Sequence, residues 1–394
     1  MPLTVAVNKL KTDYMHVLLN KANILQMTPD ERAGLLACHR KKLLRGKHRK
    51  IRYSEVATME NIRAAEHEAR KGKGCHLGVR RFDLNPEGNL TRIVSLLMTR
   101  TYHTSPVEKC VQKCPCGKER ELSKVPHDPD HIIHHGGMRV IMPYLMRYFY
   151  QDSAASIKGR GMHYAARRTE RYIDEHRKCG RLYYIKRDFV KFYHNIRQLL
   201  IYQHLCNLFG DAGIRYLLYE FVTACDTGLG IGLFPIQPLA NTYTSPLCRI
   251  LMARFKVRIL IYCDDIVIIS DDKREVWKAS NFLDRYAKEV MQQPLHEEYG
   301  MQIIDEDHFL DFVGYRYYFG HTGLRKKMKR KFQQKMHRLK EPLRRYQVAT
   351  AYKGWLMHCD GMNLWRSVMG VGSYKAIKMP TQKEINLFRL RQAA

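Results

Sequence analysis

The 394-residue sequence predicts an α+β fold of two or three packed subdomains, and three observations support this class. Short apolar runs rich in β-branched residues lie between about residues 180 and 320, where they alternate with helical stretches. Polar and basic segments of helical character flank this region on both sides. Hydrophobic residues make up 45% of the chain, which is enough for a sizeable core and excludes a wholly disordered protein.

The charge balance predicts a polyanionic partner. The chain has 68 Lys+Arg against 38 Asp+Glu, a net charge of +30. Nucleic acid is favoured over an anionic membrane, because no basic amphipathic helix with a clean apolar face is found. No segment reaches the roughly 18 apolar residues of a membrane span, and no signal peptide is recognised. The 11 cysteines, an odd number, indicate reduced thiols and a cytoplasmic setting.

Residues 1–85 are predicted to form a helical, basic N-terminal extension. The most basic block is residues 39–50, which read HRKKLLRGKHRK. Taken alone, such a block is as typical of a solvated helix face or flexible arm as of a phosphate-binding segment. The charge of the whole chain favours contact with phosphates.

Residues 86–180 combine turn signals with apolar patches. The charged and apolar residues of 116–126 alternate as in an edge hairpin. Cys110, Cys114 and Cys116 lack a second cysteine pair, so a turn with incidental thiols is favoured over a zinc site.

A histidine-rich stretch follows at residues 131–135. Its histidines His131, His134 and His135 lie in an apolar helical segment. They are predicted to pack or to contact the backbone of a bound nucleic acid rather than to bind a metal.

The central region supplies the predicted strands. Residues 182–185 form one strand that runs into Asp188, and residues 258–262 and 266–269 flank a turn that contains Asp264 and Asp265. Residues 311–318 are predicted to form a further strand. The last 70 or so residues are predicted to be helical and basic.

The adjacent carboxylates of Asp264 and Asp265 require an explanation, because their charges repel. An exposed hairpin turn is one reading, since aspartate is common there. The other is that divalent cations neutralise them, with Asp188 at the end of another strand as the third carboxylate. Three carboxylates that hold two Mg²⁺ ions about 3.5–4 Å apart are typical of nucleotidyl transfer.

Residues 262–265, Tyr-Cys-Asp-Asp, resemble the Y-x-D-D motif of reverse transcriptases. Other family motifs follow in the family's order, and the resemblance covers about residues 100–370. The matching segments are residues 118–120, 158–161, 184–193, 230–241 and 311–315. The I-G-x-x-x-x-Q form of residues 231–237 and the segment 352–359 are most similar to the enzymes of diversity-generating retroelements. Ile236 replaces a serine of those enzymes, which also often have a residue other than Cys before the paired aspartates. Cys263 also suits the related bacterial antiphage-defence enzymes, so the two groups are nearly balanced.

The resemblance implies a right-hand polymerase with fingers (86–180), a catalytic palm sheet (181–318) and a helical basic thumb (319–394). The implied activity is RNA-directed DNA synthesis that copies a structured noncoding RNA template into cDNA. It would use a DNA or RNA primer, deoxynucleoside triphosphates and two Mg²⁺ ions. An accessory protein is a possible further partner, and no membrane association is expected. Phage defence and sequence diversification remain open as the biological role.

The resemblance also implies roles for individual residues. The catalytic and metal-binding residues would be Asp188, Asp264 and Asp265. The nucleotide-binding residues would be Arg120, Phe189, Tyr193, Ile231, Gly232 and Gln237. The template-binding or RNA-binding residues would be Lys158, Arg160, Arg325, Lys326 and Lys327.

Some of these roles have a stated physical basis. The Tyr193 ring would exclude a 2′-hydroxyl, with a core tyrosine as the alternative. Ile231 would make no hydrogen bond to the incoming nucleotide, so synthesis could be imprecise. Arg120 would clamp phosphate with its forked donors, and Lys158 and Arg160 would contact template, with a solvated surface role as the alternative for all three.

Two other functions compete with this one. An RNA-dependent RNA polymerase shares the carboxylates, but its hairpin usually reads Gly-Asp-Asp and its sugar site lacks the aromatic residue. An inert RNA-binding scaffold is disfavoured, because it has no reason to keep three mutually repelling acids.

Overall fold

A computed structural model describes residues 51–113, 119–297 and 300–393. Within these ranges the chain mixes helices with antiparallel sheets, as the α+β prediction requires. The helices are α1 (Met59–Ala69), α2 (Leu77–Phe82), α3 (Pro86–Met98), α4 (Ile132–Tyr148), α5 (Met162–Glu175), α6 (Phe192–Asn195), α7 (Gln198–Leu208), α8 (Ala212–Val222), α9 (Ile236–Arg254), α10 (Lys273–Tyr286), α11 (Lys326–Arg338), α12 (Pro342–Leu356), α13 (Met362–Met369) and α14 (Gln382–Ala393). The strands are β1 (Glu108–Lys113), β2 (Glu119–Lys124), β3 (Leu182–Asp188), β4 (Arg258–Tyr262), β5 (Asp265–Ser270), β6 (Gln302–Ile304), β7 (Leu310–Phe312), β8 (Tyr315–Tyr317) and β9 (Thr322–Leu324).

The central sheet has four strands in the order β4-β5-β3-β6, and every neighbouring pair is antiparallel. Its strands are apolar at consecutive positions because both faces are buried. On one face, Ile185, Ile261 and Ile268 join a core with residues of α9 and α10. On the other face, Leu260 and Val267 pack with residues of α5. The predicted strands at 182–185, 258–262 and 266–269 are confirmed.

The described part of the predicted N-terminal extension is built into the main core. The Tyr53 hydroxyl donates a hydrogen bond to the Leu97 carbonyl at 2.8 Å, and the Asn61 amide donates to the Gly136 carbonyl at 3.1 Å. The same core contains Ile62 of α1 and Ile133 of α4. The boundary predicted at residue 85 therefore does not coincide with a break in packing. The basic block 39–50 lies outside the described residues.

Strands β1 and β2 form the hairpin that the charge alternation predicts, with Glu108 opposite Lys124. Two buried carboxylates anchor the segment that leads into it. Asp130 accepts hydrogen bonds from the Tyr102 hydroxyl and from the backbone of residue 105, both at 2.9 Å. Glu220 accepts from the backbone N–H of residue 104 at 3.0 Å. Cys114 and Cys116, of the alternative zinc reading, lie outside the described residues.

The histidines of α4 and its N-terminal end are packed side chains. His134 is fully buried and meets the Phe221 ring edge-on at 4.9 Å, which confirms its predicted packing role. His135 stacks on Phe234, and the His131 imidazole lies 2.6 Å from the Lys73 ammonium.

The prediction of a single strand at residues 311–318 is wrong, because the chain reverses within this segment. Strands β7 and β8 pair across a turn in which Val313 has φ +42° and Gly314 has φ +91°. A Cβ on Gly314 would lie 2.5 Å from the Trp355 ring, so the turn has no room for a side chain. Strand β9 completes a three-stranded sheet.

The helical C-terminal region is confirmed. Helices α11, α12 and α13 enclose a separate core that includes Phe332, Leu356 and Trp365. Among all the helices of the described ranges, none is long and apolar enough to cross a membrane.

Candidate active site

The three predicted catalytic aspartates lie at the same end of the neighbouring strands β3, β4 and β5. Asp188 is the last residue of β3 and lies directly opposite Asp265, the first residue of β5. Side chains of directly opposite residues share a face, with Cβ atoms about 4.5–5.5 Å apart. Asp264 lies in the two-residue turn that joins β4 to β5. Asp188 and Asp265, which are 77 residues apart in the chain (265 − 188), are therefore brought together by strand register.

Local backbone geometry holds this end of the sheet in place. Cys263 begins the turn with φ +58°, the left-handed conformation that a two-residue hairpin requires. The Asp188 carbonyl accepts a hydrogen bond from the His296 backbone N–H at 2.9 Å, and the Val190 N–H donates to the Pro294 carbonyl at 2.9 Å. Asp188 and Asp264 are half-buried, whereas Asp265 is exposed.

The donor chemistry of this end of the sheet suits Mg²⁺, which prefers carboxylate oxygens and keeps open positions for phosphates. Within residues 51–113, 119–297 and 300–393, no three His, Cys, Asp or Glu side chains converge on one metal position as they stand. Like-charged carboxylates repel each other without a cation, so their side chains have no reason to converge alone. The backbone register places Asp188 and Asp265 opposite each other.

Tyr193, Gln237 and Cys263 form a hydrogen-bonded group beside the aspartates. The Tyr193 hydroxyl donates to Gln237 Oε1, and the Cys263 thiol lies 3.6 Å from the same oxygen. Gln237 Nε2 in turn donates to Asn241 Oδ1 at 3.3 Å. Burial, reinforced by the neighbouring Cys263 and Asp264, raises the pKa of Tyr193, so its phenol is protonated at neutral pH. The ring is thus fixed next to the turn that carries Asp264.

The loop of residues 228–232 is clamped between this tyrosine and the β1–β2 hairpin. The Leu229 N–H donates to the Tyr193 carbonyl at 2.7 Å. Gly228 has φ +62°, and a Cβ there would lie 2.4 Å from a backbone oxygen of residue 194. At the other end, the Ser123 N–H donates to the Ile231 carbonyl at 2.6 Å, and Gly232 has φ +109° against the same strand. Ile231 is half-buried and Gly232 is exposed.

Arg120 extends from β2 and is exposed. Burial and the charges of Asp264 and Asp265 raise the pKa of the Cys263 thiol to about 11, whereas the positive charge of Arg120 acts to lower it. Arg120 therefore lies within electrostatic reach of the same turn. This placement agrees with a role toward an anionic ligand.

Three of the predicted contact residues make contacts within the protein. The Phe189 side chain is 1% exposed and stacks on Phe192 at 5.1 Å, so its ring belongs to the core and cannot touch a nucleotide there. Arg160 Nη1 donates to the backbone carbonyls of Tyr150 at 3.0 Å and Gln151 at 3.3 Å, which occupies it in a loop. Arg325 is paired with an acidic residue of β7, with Nε 2.6 Å from a carboxylate oxygen.

The remaining predicted template residues stay accessible. Lys158, Lys326 and Lys327 are exposed, and the two C-terminal ones begin α11. Their predicted contact with template remains a prediction.

Sequence reasoning missed one residue that braces the active-site hairpin. Asp152 is 3% exposed, and its carboxylate lies 2.5 Å from Arg168 of α5 and 2.7 Å from Arg258 of β4. The adjacent segment adds to the sheet edge, because the Ala154 N–H donates to the Ile261 carbonyl at 3.3 Å. No local pattern predicts this network, since its partners lie on different elements.

Sequence reasoning also gave no role to Gly228. The spaced glycines 228, 230 and 232 were a usable signal for a loop that makes close backbone contacts.

No family model matches the chain, and no curated protein matches it. Among solved structures, the chain is similar to apo telomerase from Candida tropicalis, with 10% identity over 69% of this chain and 57% of that one, at TM-score 0.46. The same telomerase truncated from its C-terminal domain gives 13% identity over 57% of each chain, at TM-score 0.43. Telomerase from Candida albicans in complex with a TWJ fragment of telomeric RNA gives 9% identity over 69% of this chain and 58% of that one, at TM-score 0.45. The chain thus spans just over half the length of these matches, and function is argued below from the site itself.

Proposed function

We propose that this chain is an RNA-directed DNA polymerase that extends a primer by nucleotidyl transfer. The observation that carries the proposal is the strand register that sets Asp188 opposite Asp265, one residue from Asp264. The Y-x-D-D resemblance of the turn and the position of the Tyr193–Gln237 pair beside it support the same activity. On this proposal, β3 to β6 belong to a palm, the β1–β2 hairpin to the fingers, and α11 to α13 to a thumb.

Each group at the site has a proposed task. Asp188, Asp264 and Asp265 would hold two Mg²⁺ ions, and when bound these would lower the pKa of a primer 3′-hydroxyl and neutralise the triphosphate. Arg120 would bind phosphate oxygens of the incoming nucleotide. The clamped loop at Ile231 would form the wall against which the incoming nucleotide lies.

The test is primer extension on an RNA template with Mg²⁺ and deoxynucleoside triphosphates. We expect the parent to extend the primer and the Asp264→Asn/Asp265→Asn variant to lose extension. The matched control is Glu306→Gln/Asp307→Asn, which removes the same charge from another exposed turn and should retain activity. Full activity in the first variant would refute the assignment, and equal loss in both would show only a general effect of charge.

Sugar selection tests the proposed role of Tyr193. Its ring lies beside the Asp264 turn, so removing it should open space for a 2′-hydroxyl. Tyr193→Ala should therefore admit ribonucleotides, whereas Tyr193→Phe keeps the ring, loses only the hydroxyl with its hydrogen bonds to Gln237 and Cys263, and should still reject them. Melting temperatures measured in parallel separate sugar selection from lost packing. A parent that prefers ribonucleotides would instead be an RNA polymerase.

The proposed template is a cognate structured noncoding RNA. The net charge of +30 and the exposed lysines that begin α11 favour such a partner. Sequencing the RNA and cDNA that copurify with the chain would identify it. Variable repeats in the cDNA would indicate diversification, and a discrete noncoding RNA would indicate a defence role.

A further inference from the structure

One exposed aromatic ring lies on the loop beside the candidate active site. Phe234 is 42% exposed, although its neighbours Leu233 and Ile236 are buried. One face of its ring is stacked on the His135 imidazole, with centroids 3.8 Å apart and planes 15° apart. The exposed area is therefore the opposite face and the edge of the ring.

The ring is held on a rigid support. The Leu233 N–H donates to the Gly230 carbonyl at 3.2 Å, and the Ile236 N–H donates to the Leu233 carbonyl at 3.2 Å. His135 is itself 8% exposed and is packed edge-on by His131 at 4.8 Å. A ring fixed in this way loses little conformational freedom when a ligand binds to it.

The surroundings of the ring suit a nucleic-acid strand. Phe234 lies three residues before Gln237 and in the same loop as Ile231, whose carbonyl is bonded to β2. Strand β2 carries the exposed Arg120 and Lys124, and its exposed acids Glu119 and Glu121 are paired with Lys113 and Lys109 of β1 at 3.5 and 3.3 Å. An open aromatic face near exposed cations is the arrangement that binds single strands, because every base has a face that can stack.

We propose that Phe234 is a stacking platform for an unpaired base of the template strand at the entrance to the active site. The proposal rests on the proposed function, because it assumes that a template enters beside this loop. An unpaired base is favoured over a paired one, since bases within a duplex already have both faces covered by their neighbours. An aromatic side chain of a protein partner is the competing occupant, and the exposed cations argue for a phosphate-bearing strand instead.

The direct test is photocrosslinking of the full chain to a primer–template duplex with 5-iodouridine at the first unpaired template position. We expect the crosslinked peptide to contain Phe234. In binding measurements, Phe234→Leu should weaken affinity for the overhanging template by about tenfold or more, as expected for loss of one base stack. Phe234→Trp should bind as well as the parent, and affinity for a blunt duplex should be unchanged in both variants.

The matched control is Trp277→Leu, which removes a partly exposed aromatic ring from α10, and should leave binding of the overhang unaltered. Equal affinity of the parent and Phe234→Leu for the overhang, or a crosslink that maps elsewhere, would overturn the proposal. Extension of the same duplex is measured in parallel. Extension without a Phe234 crosslink overturns the stacking proposal alone, whereas a Phe234 crosslink without extension supports the platform and overturns the polymerase assignment.

Discussion

Replacing the buried His134 with leucine should make the protein less sensitive to acid. Its side chain is fully buried, and neither ring nitrogen has a hydrogen-bond partner among the residues that the structure describes. Burial, with smaller contributions from His131 and His135, lowers the pKa of His134 from 6.5 to about 3. As the pH falls, His134 is therefore protonated near pH 6.5 in the unfolded chain but only near pH 3 in the folded protein.

The magnitude follows from this interval. The unfolded state gains about 1.4 kcal/mol for each pH unit below the unfolded pKa. At about pH 5, roughly 1.5 units below 6.5, the neutral histidine costs about 2 kcal/mol of stability, and at about pH 7.5 it costs almost nothing. When the pH is lowered from about 7.5 to about 5, the free energy of unfolding should fall in both proteins. The fall should be about 2 kcal/mol smaller in His134→Leu than in the parent.

Urea denaturation at the two pH values measures this difference. Any change in packing caused by the leucine is the same at both pH values and cancels. His67→Leu, the same substitution at an exposed position of α1, is the matched control. An identical pH dependence in the parent and His134→Leu would show that the folded protein accommodates the proton, and the reasoning from burial would fail.

Three further predictions concern the site and its supports. Mg²⁺ at about ten times its Kd should raise the free energy of unfolding of the parent by about 1.4 kcal/mol, an increase that Asp188→Asn should lose and Glu306→Gln should keep. Gly180→Ala should cost about 1 kcal/mol, because its φ of +73° is strained for alanine although the space around it is open. Gly228→Ala should cost about 2 kcal/mol more in the same denaturation assay, since its Cβ meets backbone that cannot rotate away; equal costs would contradict the contact geometry. Asp152→Ala should lower the free energy of unfolding by about 2–3 kcal/mol. This is less than for a fully buried ion pair, because Arg168 and Arg258 are partly exposed. An unchanged melting temperature would refute the bracing role.

The sequence predicted the parts of the fold that depend on local pattern. The isoleucine-rich strands on either side of Asp264 and the strand that ends at Asp188 follow from runs of β-branched residues, and the structure has them. The strand predicted at 311–318 failed because its composition is equally apolar on both sides of a turn. The chain reverses at Val313 and Gly314, whose φ values are positive, and Gly314 packs closely against Trp355 from another element.

Side-chain roles were harder to predict than positions. Arg160 and Arg325 were predicted to contact template from their charge. Charge in the sequence carries no information about which groups lie next to a side chain in space. One is bonded to loop carbonyls and the other to a carboxylate of β7. The polar composition before residue 85 likewise gave no sign of the apolar face that Ile62 contributes to the core.

Backbone contacts rather than side chains set the frame of the candidate site. The carbonyls of Asp188, Tyr193 and Ile231 each accept a hydrogen bond from a distant segment, at 2.9, 2.7 and 2.6 Å respectively. Such contacts constrain conformation but not residue type, except where a glycine is needed for close approach. A chain can therefore change most of its side chains around this frame and keep the aspartates, the tyrosine and the glycines in register. This explains how a candidate site can be recognised from a few short motifs although no family model matches the sequence.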